Sequence, residues 1–258
     1  MNDIARAHIK GAETLRQDAV ELAGTGALII HGFGGGRAEV APLAEFLQGL
    51  GLRVCVPLLP GHEEGRGGLR RISRRHWLAE VEESYKELSG MCERIYVIGF
   101  SMGGLLAVQL LAARFPGVNL QNGRLGGLVT VNTPVYYWNW RQMAVNLLKG
   151  RARERSLYRK KYFSSGAGLP LRAMAEFQML LSGTKGLYSR LCCRALVIQM
   201  ADDDTVWPAS GDYILRRMNG VRRLVKLPTG GHQAFQGEGK AQACHAIRQF
   251  IQEGESKG

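Results

Sequence analysis

The segment from Ile95 to Gly104, "IYVIGFSMGG", does most to limit what this chain can become. An apolar run rich in β-formers stops at Ser101, and the helical-looking run "MGGLLAVQLLAARF" starts at once at Met102. No loop separates them, so a strand and a helix must meet at a sharp corner. Gly99 and Gly103 flank the serine two residues away on each side. Small neighbours let such a corner close. Two readings stand at this point: a plain strand-to-helix turn, or a turn that holds a hydroxyl out as a nucleophile.

The surrounding sequence repeats the same alternation. Short apolar runs cover residues 27–33, 52–59, 94–100, 125–134, 194–203 and 222–228. Most are continuously apolar and not strictly alternating, as expected of strands covered on both faces. Helical patterns lie between them. One opens at Ser73 as a candidate cap and carries Trp77, Val81, Tyr85 and Leu88 on one face. The last, from Ala241 to Ile251, places Cys244, Ile247, Phe250 and Ile251 together. Strand-helix alternation predicts an α/β class with a mainly parallel sheet. Residues 135–191 break the rhythm and offer no strand, which predicts an all-helical insertion. The core is then 1–134 with 192–258, and 258 residues are enough for one domain of that kind.

In open parallel sheets, ligands collect at the carboxyl ends of the strands. These ends carry His31-Gly32-Phe33, Ser101, the acids Asp202 to Asp204, and, just past the last strand, Gly231-His232. Serine, acid and histidine therefore emerge along one edge, in that chain order. A serine hydroxyl needs a base within hydrogen-bond reach to act as a nucleophile. Of the six histidines, only His232 and His245 follow the acids, and His245 lies inside the final helix beside its apolar stripe. His232 is thus the expected base. Three aspartates compete for the role that orients the imidazole. Asp203 is preferred, because Val206 and Pro208 would open the next turn and helix, with Asp202 and Asp204 as solvated neighbours. The expected oxyanion donors are the backbone N–H of Met102 and that of Phe33, in a glycine-rich loop whose backbone can approach a substrate. That loop lacks the lysine-bearing pattern of a phosphate cradle.

The segments "LIIHGFGG", "PLLPGH", "YVIGFSMGG", "VIQMADDDTVWP" and "GGHQAF" together resemble the α/β-hydrolase superfamily, and within it the bacterial carboxylesterase and monoacylglycerol-lipase group. The resemblance covers nearly the whole chain from about residue 25. It implies the α/β-hydrolase fold, a mainly parallel sheet flanked by helices, with 135–191 as a small helical cap. It assigns Ser101, Asp203 and His232 as a triad, and Phe33 and Met102 as oxyanion donors. By analogy the cap lines an acyl pocket, with Met143, Leu147, Met174, Phe177 and Leu180 as candidates. The acid loop departs from the common pattern in having Met200 and Ala201 where a glycine is frequent. The implied activity is serine-dependent hydrolysis of short- to medium-chain acyl esters, monoacylglycerols among them. A thioesterase or acyltransferase of the same fold is the alternative. Dehalogenases and epoxide hydrolases of this fold use an aspartate nucleophile, which Ser101 replaces here.

Composition narrows the remaining choices. The five cysteines form no Cys-x-x-Cys pair and no zinc spacing, so no metal or cofactor is expected. No apolar stretch reaches the ~20 residues of a membrane span. The first residues lack a secretory core, so a cytoplasmic location is expected. The net charge of +12 is partly gathered at Arg70, Arg71, Arg74 and Arg75 and again between Arg151 and Lys161. Without a nucleic-acid-binding signature beside them, these read as solvated basic faces, and no nucleic-acid partner is expected. Transient contact with an anionic membrane surface is the other use such charge would have. The expected partner is a small acyl ester.

Overall fold

The computed structural model describes residue 22 and residues 24–114, 124–137 and 170–256. Six strands form one sheet: β1 (Thr25–Ile30), β2 (Arg53–Cys55), β3 (Arg94–Phe100), β4 (Leu125–Val131), β5 (Ala195–Met200) and β6 (Arg222–Leu227). Their order is β2-β1-β3-β4-β5-β6, and every neighbouring pair is parallel. The helices are α1 (Ala41–Gly49), α2 (Arg74–Met91), α3 (Met102–Arg114), α4 (Leu171–Thr184), α5 (Ala209–Arg217) and α6 (Lys240–Glu255). The expected strand at 52–59 shrinks to three residues, since Pro57 has no N–H to give to the sheet.

Side-chain alternation inside the buried strands divides the core in two. Leu28, Ile30, Ile95, Val97, Leu128 and Val197 face α2, α3 and α4. Ala27, Ile29, Tyr96, Ile98, Val129, Leu196 and Ile198 face α1 and α6. Both faces of the central strands are covered, which explains their unbroken apolar sequences. β6 is an edge strand and carries Arg222, Arg223 and Lys226, charges that discourage pairing with another chain. α2 is capped by Ser73, whose backbone N–H donates to His76 Nδ1 at 3.1 Å. No helix among the described residues is long and apolar enough to cross a membrane.

All strands point the same way, so their carboxyl ends gather along one edge. The start of the 135–191 region is fastened there too. Tyr137 bridges Val206, and Ser210 Oγ accepts the N–H groups of Val135 and Tyr136 at 3.2 and 2.9 Å. α4 packs against α2 and α3. Met143, Leu147 and the basic cluster from Arg151 to Lys161 lie outside the described residues.

Candidate functional site

β3 ends and α3 begins on either side of Ser101, whose φ is 52°. Side chains other than glycine rarely take this left-handed conformation, so the corner is strained and must be held by its surroundings. Bare backbone does the holding. A Cβ on Gly99 would strike the backbone of Gly103 and Gly104, and one on Gly103 would strike the carbonyl of Ile30. Glycine at both places lets α3 lie against the ends of β1 and β3 while the serine stays at the tip.

Ser101 Oγ lies 3.0 Å from His232 Nε2. On the far side of the ring, His232 Nδ1 lies 3.1 and 3.0 Å from the two oxygens of Asp203. An unbroken hydrogen-bonded line therefore runs from hydroxyl through imidazole to carboxylate. Asp203 is fully buried. Its Oδ1 also accepts the N–H groups of Thr205 and Val206 at 2.8 and 2.9 Å, which fixes the carboxylate and offsets its burial. His232 packs over Phe100, with ring centroids 5.4 Å apart. Such a line can move a proton from a hydroxyl to an imidazole while the carboxylate steadies the charge left on the ring.

The two other aspartates are not the solvated neighbours expected from sequence. Asp202 accepts the N–H groups of Gly230 and Gly231 at 3.2 and 2.8 Å and so holds the loop that leads to His232. Asp204 is buried and accepts the Thr205 hydroxyl at 3.0 Å. Sequence reasoning also passed over Asn132, Glu39 and Gln233. Asn132 follows β4 and donates to the carbonyls of Gly231 and His232. Glu39 accepts the Gly32 N–H at 3.2 Å and the Gln233 side-chain amide at 2.8 Å, joining the loop after β1 to the residue next to His232. The strand-end reasoning applied to the other strands would have reached Asn132 had it been applied to β4.

The loop after β1 runs beside the serine, so close that a Cβ on Gly32 would lie 3.4 Å from Ser101 Cβ. Glu39 occupies the Gly32 N–H, and Phe33 is the next residue along the loop. Met102 is the first residue of α3, where backbone N–H groups have no acceptor within the helix and the helix dipole favours negative charge. His31 anchors the loop from beneath: its Nδ1–H donates to the Gly32 carbonyl at 2.9 Å, and its Nε2 accepts from Leu59 N–H at 3.2 Å. Burial pushes the His31 imidazole down to about 4, so it stands there neutral.

The Phe33 ring enters an aromatic cluster. It stacks on Phe177 of α4 at 5.1 Å and 11°, and meets Trp77 and His62 edge-on at 5.8 and 6.3 Å. Tyr137 meets Phe177 at 5.4 Å. Of the expected acyl-pocket residues, Phe177 is thus brought to the loop after β1. Met174 is half-buried one turn earlier, and Leu180 is buried in the packing of α4 against the core. α4 is pinned by Glu176, which accepts from the Arg74 guanidinium at 2.7 Å and from its N–H at 3.2 Å. Arg74 is therefore an ion-pair partner and not part of a free basic face, whereas Arg70, Arg71 and Arg75 are exposed. A recess of about 600 Å³ near Gly24, Arg94 and Arg124 lies at the opposite ends of the strands and has no part in this arrangement. Among the described residues, no group of three or more His, Cys, Asp or Glu could hold a metal ion.

The chain is similar to known proteins in sequence and in fold. The chain is 29% identical over 223 residues to the thermostable monoacylglycerol lipase of Bacillus sp. (strain H-257), a match covering 81% of this chain and 83% of that one. Its fold is similar to that of a metagenome-derived lipolytic enzyme, with a TM-score of 0.72, 22% identity, and coverage of 89% of this chain and 94% of the other. It is also similar to a soluble variant of monoglyceride lipase from Saccharomyces cerevisiae, with a TM-score of 0.68, 14% identity, and coverage of 89% and 86%. The family model of the alpha/beta hydrolases matches residues 27–244, and with the parallel sheet and the serine corner in place, the chain belongs to the alpha/beta hydrolase family.

Proposed function

We propose that the chain hydrolyses carboxylic esters of short- to medium-chain acids, monoacylglycerols among them, through an acyl-enzyme on Ser101. The observation that carries this reading is the line from Ser101 through His232 to Asp203, with 3.0 Å between Ser101 Oγ and His232 Nε2. His232 Nε2 takes the hydroxyl proton as Oγ bonds to the ester carbonyl carbon. The oxygen of that carbonyl becomes an anion, and the N–H groups of Phe33 and Met102 stabilise it. The imidazolium then gives its proton to the departing alcohol, and the acyl group stays on Ser101. Water enters, loses a proton to His232 and attacks the acyl carbon. Collapse of the second tetrahedral species returns the proton to Ser101 Oγ and releases the acid. Asp203 keeps Nδ1–H turned away from the substrate and stabilises the charged ring. The aromatic cluster around Phe33 supports an apolar acyl group, and the name of the Bacillus relative supports a monoacylglycerol as substrate.

The test is Ser101→Ala, assayed on p-nitrophenyl acyl esters of increasing chain length and on a monoacylglycerol. Hydrolysis is expected to disappear from a protein that keeps its fold. Full activity in the variant overturns the assignment. A rate on thiol esters well above that on matched oxygen esters would move the substrate class to thioesters.

A further inference from the structure

Asn132 is fully buried and, among the described residues, is one of three other than glycine with positive φ, at 47°. Its side chain makes four hydrogen bonds. Nδ2 donates to the carbonyls of Gly231 and His232 at 3.0 and 2.9 Å. Oδ1 accepts from Met200 N–H at 2.9 Å and from the Gln199 side-chain amide at 3.2 Å. The backbone joins in, with Asn132 N–H donating to the Ile198 carbonyl at 3.0 Å. The orientation of the amide follows from its partners, because two carbonyls require the NH₂ and a backbone N–H requires the oxygen.

These contacts reach both loops that the hydrogen-bonded line depends on. The histidine loop contains Gly230 and Gly231 at φ values of 144° and 61°, so its own backbone does little to fix its path. Asp202 takes the N–H groups of those glycines, and Asn132 takes the carbonyls of Gly231 and His232. Met200 closes β5, and its carbonyl accepts the Asp203 N–H at 3.4 Å. One side chain at the end of β4, beside the strand that delivers Ser101, therefore holds reference points for both His232 and Asp203. We propose that Asn132 is a positioning residue for the acyl-transfer site, setting the His232 imidazole between Ser101 and Asp203. This rests on the role given to those three residues above. Asparagine suits the position because it supplies two donors and an acceptor from a short side chain and tolerates left-handed φ. Aspartate would turn oxygen lone pairs toward two carbonyls.

Two substitutions separate the side chain from the backbone conformation. Asn132→Gly keeps φ accessible and removes all four side-chain bonds. Asn132→Asp keeps the acceptor toward Met200 and loses the two donors. In each, kcat on a p-nitrophenyl ester is expected to fall by roughly 10- to 100-fold, as for a reacting group displaced by a fraction of an ångström, while KM stays within about 3-fold. The low-field proton signal of the Nδ1–H shared with Asp203 is expected to broaden in both. Unchanged kcat in either folded variant, beside an inactive Ser101→Ala, overturns the positioning role and leaves the acyl-enzyme reading intact. Activity retained in Ser101→Ala overturns that reading and this proposal with it. Loss of the folded state in both variants assigns Asn132 to the fold and overturns the proposal.

Discussion

The two sides of the site are held by different kinds of force. On one side, Ser101, His232 and Asp203 are fixed by directed hydrogen bonds that involve backbone groups, through Asn132, Asp202 and the N–H groups of Thr205 and Val206. On the other, Phe33, Trp77, Phe177 and Tyr137 meet ring against ring, and one ion pair, Arg74 with Glu176, pins the helix that brings Phe177. Hydrogen bonds weaken steeply with angle and distance, so the first side specifies one geometry. Ring packing is non-directional by comparison and tolerates changes of shape with modest loss. On the proposed function, a proton-transfer line requires the first property, and a wall that receives acyl groups of several lengths is served by the second.

If that contrast is right, the largest effect belongs to the polar side. Asp203→Asn keeps an oxygen for the Thr205 and Val206 N–H groups but removes the charge and permits the wrong imidazole tautomer. On the proposed mechanism kcat should fall by roughly 10⁴-fold with the fold intact, measured on p-nitrophenyl esters with melting followed in parallel. A loss of only a few-fold would break the contrast.

A smaller effect concerns stability. Burial holds the folded His31 pKa at about 4, below its ordinary 6.5. The unfolded chain therefore takes up the proton first. The contribution is complete above the unfolded value and is lost as pH falls from there toward 4. By pH 5 on the order of 2 kcal/mol of it has been lost. His31→Gln retains a donor for Gly32 and an acceptor for Leu59 and should flatten the fall of melting temperature between neutral and mildly acidic pH. Burial lowers the His62 pKa as well, so some slope should remain. An unchanged slope in the variant would clear His31 of this role.

The smallest effect belongs to the aromatic side. Phe177→Leu gives up a ring stack worth about 0.5–1.5 kcal/mol of stability, and on the proposed function the reshaped wall should raise KM by roughly 2- to 10-fold and shift the preferred acyl length, with kcat nearly unchanged. A collapse of kcat instead would show that the stack on Phe33 also sets the loop beside Ser101, and the two sides would have to be treated as one.

Legibility in the sequence followed the same division. The strand ends bearing Ser101, Asp203 and His232 stand out because each follows an apolar run, and a run that stops at a polar residue is a local signal. β1, β3, β4 and β5 were legible for that reason. The apolar run at 52–59 overstates β2, because the residues after Pro57 are apolar without being paired, and apolarity alone does not report hydrogen bonding. Asn132 carries the same signal at the end of β4, whereas Asp202 and Glu39 give none that marks their roles. Their roles depend on which N–H groups arrive from 7 to 194 residues away, and no spacing along the chain encodes that. Phe177 could be singled out on its helix, but its partner Phe33 belongs to the first loop after β1.

The bond between Ser101 and His232 spans 131 residues. A partner so remote must wait for nearly all the intervening chain, and parallel pairing of β5 with β6 is among the slow, non-local steps of folding. During synthesis the serine emerges long before its base, on a corner with no means of activation. On the proposed mechanism, then, esterase activity cannot precede completion of the sheet. Turnover would serve as a clock for the last stage of folding, and a growing chain on the ribosome would be chemically inert toward the esters around it.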